Sequence, residues 1–269
     1  MIDLAKINYS KLDRPEILML LFHPRPEWAT PEAVPGCHDV TIPVEERVNL
    51  GAKFHLSEAG APVILFFHGN GEIAADYDDL GQLYRRMGMH FLAFDYRGYG
   101  RSGGSPTITA MMRDCHVVFE YTKSFLSEKR FTGPLIVMGR SLGSAPALEL
   151  ASCYATQVSG LIIESGFAFA EPLLELFGFS MKKLGISEQD AFRNVEKIRA
   201  FDKPCLIIHG ERDHLIPFVE GQALFESCRS KKKRLLMIRG ADHNDLFYRG
   251  IEEYLQAVKE LAEEVALAG

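Results

Sequence analysis

The sequence predicts an α/β fold in which a doubly wound, mostly parallel sheet is covered by helices on both faces. Two observations carry this prediction. Continuous apolar runs, typical of strands buried on both faces, recur at 63–67, 91–94, 135–138, 161–163, 205–208 and 235–238. Segments suited to helices alternate with them, near 73–87, 108–126, 143–153, 188–199, 217–227 and 246–265. Such alternation indicates parallel strands joined by crossover helices.

The region before the first apolar run predicts two antiparallel strands, at 41–44 and 52–56. The apolar segment 17–22 is too short for a signal-peptide core or a membrane span, so we expect it to pack on the domain. The length of 269 residues allows one or two domains. We predict a single domain over 1–269, with an N-terminal arm at 1–35 and a short cap insertion at about 165–187.

Composition limits the classes of partner. A net charge of −6 and an isoelectric point near 5.9 argue against nucleic acid. We interpret the basic cluster at 231–234 as a solvated turn. Five widely spaced cysteines, without a C-x-x-C pair, favour reduced thiols in a cytoplasmic protein. No spacing of histidine, cysteine or glutamate predicts a metal site.

The segment Gly139–Gly143 matches G-x-S-x-G between a strand-like run and a helix-like run. A sharp strand-to-helix turn exposes its central serine, and the glycines keep the turn uncrowded. Ser141 is therefore the candidate nucleophile, which requires a histidine base and an acid elsewhere in the chain. A second match, around Ser102, lacks the adjacent strand and helix, so we interpret Ser102 as a loop serine.

Candidate partners for Ser141 follow two later strands. Asp213 lies in the loop after 205–208, and His243 lies in the loop after 235–238. Glu211 is a rival for the acid, and two further aspartates, Asp242 and Asp245, are weaker ones. Arg140, beside the nucleophile, is expected to pair with Glu164 or Asp95 at neighbouring strand ends.

Together these segments resemble the α/β-hydrolase superfamily from about residue 36 to the C-terminus. The segments F-F-H-G-N-G, F-D-Y-R-G-Y-G-R-S, G-R-S-L-G-S, H-G-E-R-D and G-A-D-H-N-D are similar to those of small serine hydrolases related to depalmitoylases, lysophospholipases and prolyl oligopeptidase catalytic domains. The order serine, acid, histidine is that of the superfamily. Asp213 is preferred over Glu211 because G-E-R-D-H-L-I-P resembles the acid loop of the family.

The resemblance implies an α/β-hydrolase fold and an oxyanion hole made by the backbone N–H groups of Leu142 and Asn70. Gly71 departs from relatives, which often carry alanine there. We expect a serine hydrolase that cleaves a carboxylic ester or thioester of a small-molecule or acyl substrate, without a cofactor. A serine peptidase or amidase on the same fold remains open, as do the identity of the acyl and leaving groups and the oligomeric state.

Two other classes of protein remain as alternatives. Gly69, Gly71 and Ala74 read G-x-G-x-x-A after a strand, with Asp95 at the end of the next strand, as in a dinucleotide-dependent oxidoreductase. That interpretation leaves Ser141 and its partners unexplained. A non-catalytic binding protein on the hydrolase fold is the other alternative, although the candidate serine, acid and histidine are all present.

The cap is rich in apolar side chains. Phe167, Phe169, Leu173 and Phe177 are the candidate substrate-binding residues. The spacing of Leu173, Leu176 and Phe177 predicts one face of a helix. Two interpretations of that face remain open, since it either packs on the core or closes an apolar acyl pocket over the nucleophile.

Overall fold

The computed structural model describes residues 2–28 and 34–268, which divide into two compact units that meet in sequence at Pro134 and Leu135. Part of the predicted N-terminal arm, 29–33, lies outside the described residues. Helix α1, Pro15–Leu21, begins with proline at its first position, where a backbone N–H has no helical partner. Ile17, Leu21 and Phe22 are buried, which confirms that this segment packs on the body of its unit.

In the first unit four strands pair in the order β1-β2-β4-β3. Strands β1 (Cys37–Glu45) and β2 (Val48–His55) form an antiparallel pair, and β2 also runs antiparallel to β4 (His90–Phe94). Strand β3 (Val63–Phe67) pairs with β4 in parallel. Every residue of β3 and β4 is buried, as their continuous apolar sequences predict.

A short helix and a long helix follow in this unit. Helix α2 (Asp78–Arg86) packs on β2 and β4. Helix α3 (Ile108–Lys129) begins at Thr107, whose hydroxyl accepts a hydrogen bond from the N–H of Ala110. This cap supplies a partner for one of the N–H groups left over at the start of a helix.

The second unit is built on four parallel strands in the order β5-β6-β7-β8. They span Leu135–Arg140, Gly160–Glu164, Cys205–Gly210 and Lys233–Ile238. Because the strands are parallel, their carboxyl ends lie along one edge, and the loops that leave this edge carry the candidate site.

Seven helices are described in the second unit. They are α4 (Ser144–Cys153), α5 (Ala170–Leu176), α6 (Met181–Leu184), α7 (Asn194–Arg199), α8 (Phe218–Ser227), α9 (Leu246–Arg249) and α10 (Ile251–Ala268). Helix α4 packs on β5 and β6, α8 on β7 and β8, and α10 on β6 and β7. The predicted cap at 165–187 contains α5 and α6, with Gly178 between them in the left-handed region at φ 82°.

Three predicted helices are interrupted. The segment 73–87 begins as a 3-10 turn, Ala74–Tyr77, before α2. The segment 188–199 contains a 3-10 turn, Glu188–Asp190, and then α7, because Arg193 adopts a positive φ of 55° that no α-helix contains. Gly250 lies between α9 and α10. The prediction placed one continuous helix over each of these segments, and the structure corrects it at these breaks.

The basic cluster at 231–234 has partners in its own unit. Lys232 forms an ion pair with Glu264, Arg234 pairs with Glu260, and the Lys233 ammonium donates to two backbone carbonyls. Among the described residues, no helix is both long enough and apolar enough to cross a membrane.

Candidate active site

Ser141 occupies the turn between β5 and α4. Its φ of 52° is a left-handed conformation, which costs a non-glycine residue on the order of 1–3 kcal/mol and marks functional sites. A Cβ atom at Gly139 would overlap the carbonyl group of Gly143 and the methyl group of Ala147, so the turn requires glycine there. Ser141 is half-buried and Leu142, the next residue, is buried. The local geometry is that of the predicted nucleophile elbow.

His243 connects Ser141 to Asp213. The His243 Nε2 atom lies 2.9 Å from Ser141 Oγ, and the Nδ1 atom lies 2.7 Å from Asp213 Oδ2. Asp213 follows β7 and His243 follows β8, so all three side chains come from the carboxyl ends of strands in one unit. The structure therefore brings together the three residues that the sequence singled out.

The hydrogen-bond partners determine which nitrogen of His243 carries the proton. A carboxylate only accepts hydrogen bonds, so the neutral imidazole holds its proton at Nδ1. The lone pair at Nε2 then faces the Ser141 hydroxyl. Asp213 is itself held, because its Oδ1 accepts from the N–H groups of Leu215 and Ile216, at 3.0 and 2.8 Å.

The rival acids have other partners. Glu211 accepts a hydrogen bond from the N–H of Gly240 and caps the turn after β8. Asp242 contacts His243 at the backbone N–H, 2.7 Å away, and also binds His214. The hydrogen bond from the His243 N–H lowers the pKa of the Asp242 carboxyl most, and the contacts with His214 lower it further. Asp245 accepts from the N–H of Asp242. Of these acids, Asp213 is the one that meets the imidazole.

Arg140 supports the loop that carries His243. Its Nε donates to Glu164 Oε1 at 3.1 Å, which confirms one of the two pairings expected from the sequence. A second guanidinium nitrogen donates to the carbonyl oxygen of His243 at 2.9 Å. The other oxygen of Glu164 accepts from the hydroxyl of Tyr254 at 2.7 Å. This buried network joins β5, β6 and α10 to the backbone of the histidine loop.

Asn70 lies in the first unit, in the loop after β3. Its side-chain oxygen accepts from the Tyr99 hydroxyl and the His23 N–H, each at 2.8 Å. Arg25 donates to the carbonyl of Gly71, at 2.7 Å. These contacts attach the loop after β3 to the N-terminal arm and to the segment after β4. The assignment of the Asn70 and Leu142 N–H groups to an oxyanion hole stays a prediction.

Two further residues of the first unit have structural roles. Ser102 accepts from the N–H of Gly51 and donates to the carbonyl of Asp95, both at 2.9 Å, as a loop serine would. The Asp95 carboxylate is buried and accepts from the N–H of Ala74 at 2.7 Å. Burial raises the pKa of this carboxyl. The Asp95 carboxylate therefore does not lie exposed, as an acid that binds the ribose of a dinucleotide would.

Sequence reasoning missed two residues that hold the base of the cap. Glu220 of α8 is buried, and its Oε2 accepts from the N–H groups of Ala168 and Phe169, at 2.8 and 3.0 Å. The Asn194 amide donates to the carbonyl of Phe167 at 2.8 Å. A glutamate in the first turn of a helix gave no signal of this role, because that position is also common for exposed acids.

The candidate substrate-binding residues of the cap differ in burial. Phe167 is buried and makes an edge contact with Phe192. Phe169 is 41% exposed, and Leu173 and Phe177 are half-buried. Helix α5 includes Leu173 and Leu176 and ends just before Phe177, but its buried leucine is Leu174. Of the predicted apolar face, Leu176 is 47% exposed and the other two residues are half-buried, and substrate binding by this face stays a prediction.

Comparisons with known proteins agree with this fold. A family model described as serine aminopeptidase, S33, matches residues 59–187. Human alpha/beta hydrolase domain-containing protein 17B is 32% identical over 207 residues, which cover 75% of this chain and 66% of that protein. Human protein ABHD12B is 30% identical over 208 residues, which cover 69% and 56%. The chain thus spans just under two thirds of the first relative's length and little more than half of the second's.

Solved structures of two esterases share the architecture. Esterase Pf2001 of Pyrococcus furiosus superposes with a TM-score of 0.72 at 19% identity, covering 91% of this chain and 98% of that one. Est1E of Butyrivibrio proteoclasticus, with ferulic acid bound, gives a TM-score of 0.71 at 18% identity, covering 86% and 100%. These relatives and structures support assignment to the α/β-hydrolase superfamily and confirm the predicted fold class.

The buried side chain of His209 should make the free energy of unfolding depend on pH. Its Nε2 lies 2.7 Å from the carbonyl of Ile216, which only accepts, so Nε2 carries the proton. Among the described residues, the buried Nδ1 has no hydrogen-bond partner. Burial lowers the pKa of His209 below its ordinary 6.5. The unfolded chain then binds more protons than the folded one below pH 6.5, so acidification removes stability there.

As the pH is lowered from about 7 to about 5.5, the free energy of unfolding should decrease less in the His209→Gln variant than in the parent, as measured by urea denaturation. His38→Gln, at an exposed histidine, serves as the control and should retain the parent's pH dependence. Equal pH dependence in the His209→Gln variant and the parent would contradict the assignment.

Proposed function

We propose that the protein is a serine hydrolase that cleaves a carboxylic ester or thioester through an acyl-enzyme intermediate. The observation that carries this proposal is the chain of contacts from Ser141 Oγ to His243 Nε2 at 2.9 Å and from His243 Nδ1 to Asp213 Oδ2 at 2.7 Å. Similarity to alpha/beta hydrolase relatives and the likeness in fold to two esterases support it.

The chemistry follows from the positions of the protons. Ser141 attacks the carbonyl carbon of the substrate while His243 Nε2 takes the hydroxyl proton. The imidazolium that forms is stabilised by the Asp213 carboxylate, which keeps its charge. His243 returns the proton to the leaving group, and the C–O or C–S bond breaks. A water molecule, deprotonated by His243, then attacks the acyl-serine and releases the acid.

The oxyanion that forms at each attack needs hydrogen-bond donors. We assign the backbone N–H of Leu142, next to the nucleophile, and the backbone N–H of Asn70. The side-chain contacts of Asn70 with Tyr99 and His23 would keep that loop rigid. A rigid donor costs no reorganisation during the reaction, and one such donor contributes about 3 kcal/mol to transition-state stabilisation.

A serine peptidase or amidase is the second candidate. The match to the family model described as serine aminopeptidase favours it, and the same three residues would perform that reaction. Ester and amide hydrolysis differ in the leaving group, because the amide nitrogen must receive a proton from His243 before it departs. An ester and an amide with the same acyl group, assayed side by side, separate the two activities.

The other classes of protein receive less support. A dinucleotide-dependent oxidoreductase would use an acid such as Asp95 to bind a ribose, whereas this carboxylate is buried and already accepts from the N–H of Ala74. A non-catalytic binding protein would not require the continuous contacts among Ser141, His243 and Asp213.

The first test identifies the reactive serine. A fluorophosphonate probe should label Ser141, and Ser141→Ala should abolish labelling and reduce esterase activity to about a thousandfold above the uncatalysed rate. The matched control is Ser102→Ala, which should remain reactive with the probe. Labelling that survives Ser141→Ala and disappears with Ser102→Ala would refute the assignment. Circular dichroism establishes that both variants are folded.

The second test identifies the acid. Asp213→Asn should lower kcat by about 10⁴-fold, because the amide no longer enforces the productive tautomer of His243. Glu211→Gln, which alters an acid of the same loop that contacts Gly240 instead, should change kcat little. Steady-state kinetics on a p-nitrophenyl ester provide the measurement. If Glu211→Gln were the more damaging change, the acid would have to be reassigned.

The exposed apolar face of α5 suggests an apolar acyl group. Phe169, Leu173, Leu176 and Phe177 are all at least partly accessible, which leaves them free to contact substrate. Glu220 and Asn194 fix the backbone at the start of this segment. We therefore extend the proposal to acyl chains that bind against the cap.

The third test measures dependence on acyl length. Each buried methylene contributes about 0.8 kcal/mol, so kcat/KM should rise about fourfold per methylene from acetyl to about butyryl or hexanoyl. Phe177→Ala should flatten this rise, whereas Leu267→Ala, at an exposed leucine of α10, should leave it unchanged. A profile that peaks at acetyl and does not respond to Phe177→Ala would show that the cap does not line the acyl pocket.

A further inference from the structure

Three side chains with metal-binding atoms meet in the first unit. Cys37 of β1 and His55 of β2 are direct cross-strand partners, so their side chains lie on the same face of the antiparallel pair. Asp78 is the first residue of α2, which packs on β2. The Cys37 sulfur, His55 Nε2 and Asp78 Oδ1 all point towards one another.

The distances among these atoms match one face of a tetrahedral metal site. The sulfur lies 3.6 Å from Nε2 and 3.9 Å from Oδ1, and Nε2 lies 3.1 Å from Oδ1. Tetrahedral zinc, with bonds of about 2.3 Å to sulfur and about 2.0–2.1 Å to nitrogen and oxygen, requires separations of about 3.6 Å to the sulfur and about 3.4 Å between the other two. Shifts of a few tenths of an ångström would complete the geometry.

The surroundings hold the ligands in place. A Cβ atom at Gly81 would overlap the imidazole ring of His55, so glycine makes the room for it. The Lys53 ammonium donates to Asp78 Oδ2 at 2.9 Å and leaves Oδ1 facing the cluster. Such a contact to the second oxygen is what orients a ligating carboxylate in metal proteins. The Asp78 side chain is 18% exposed, which leaves the cluster partly open to solvent.

We propose that Cys37, His55 and Asp78 bind Zn²⁺, with water as the fourth ligand. A thiolate, an imidazole and a carboxylate suit zinc better than they suit magnesium or calcium, which prefer oxygen ligands. A thiolate and a carboxylate balance the charge of the ion. The Lys53 ammonium contacts Asp78 and also lies 3.7 Å from Asp39 Oδ1, an oxygen that pairs with Arg101 as well. The ion would join β1, β2 and α2.

Zinc at Nε2 moves the proton of His55 to Nδ1. That atom lies 3.4 Å from the amide nitrogen of Gln82, which also donates to the carbonyl of Pro35 at 2.9 Å. Rotation of the amide to accept from Nδ1 would give up the contact with Pro35.

The first experiment uses the unaltered, untagged protein after removal of metal with a chelator. It should bind about one Zn²⁺ per chain, and added Zn²⁺ should raise the melting temperature. Iodoacetamide should alkylate Cys37 more slowly in the presence of Zn²⁺, while alkylation of the exposed Cys153 continues at the same rate, as followed by mass spectrometry. Absence of binding, or equal rates at Cys37 with and without Zn²⁺, would refute the site.

The second experiment uses Co²⁺, which reports a thiolate ligand by a charge-transfer absorption band. The band should appear in the parent and be lost in Cys37→Ser, and Asp78→Asn should weaken Co²⁺ binding at least 10–100-fold. Cys153→Ser and Asp79→Asn, at the residue beside Asp78, are the matched controls and should behave as the parent does. A band that survives Cys37→Ser but is lost in Cys153→Ser would refute the proposal. Circular dichroism verifies that each variant is folded.

Discussion

The buried carboxylate of Asp213 is the group on which the rest of the candidate site depends. Removing a charge from water is costly unless hydrogen bonds replace the lost hydration. Here the N–H groups of Leu215 and Ile216 bind one oxygen, which leaves the other to face His243. That arrangement selects the tautomer of His243 and directs its lone pair at Ser141. The contact between His243 and the half-buried Ser141 therefore depends on two backbone N–H groups in the loop after β7.

A second network of buried charged groups fixes the position of the loop that carries His243. Arg140 is fixed by Glu164, and Glu164 is fixed by Tyr254, so the guanidinium group can donate to the carbonyl of His243. Loss of one partner from such a network leaves an uncompensated buried charge, which costs about 3–5 kcal/mol. Arg140, the residue before Ser141, thus contributes to the position of the His243 backbone.

The two clusters of polar side chains differ in what they require from the backbone. The Ser141 centre depends on strained or tightly packed backbone, with a left-handed serine and a glycine whose Cβ atom would overlap the next turn. The cluster of Cys37, His55 and Asp78 instead uses ordinary β-strand and helix geometry, in which cross-strand pairing sets the separation of two ligands. Regular structure is sufficient to bring ligands to a metal ion, whereas an exposed nucleophile at a strand end needs an irregular turn.

The sequence by itself determined the strand runs, the elbow around Ser141 and the candidates Asp213 and His243, because continuous apolar runs and tight turns are local signals. It favoured Asp213 over Glu211, two residues apart in one loop, only through the resemblance of that loop to the family, whereas the fold shows which carboxylate meets the imidazole. The roles of Glu220 and Asn194 at the cap, and the convergence of Cys37, His55 and Asp78, were also decided by tertiary structure. Those contacts join residues distant in sequence, and no local pattern records a distance that only chain folding creates.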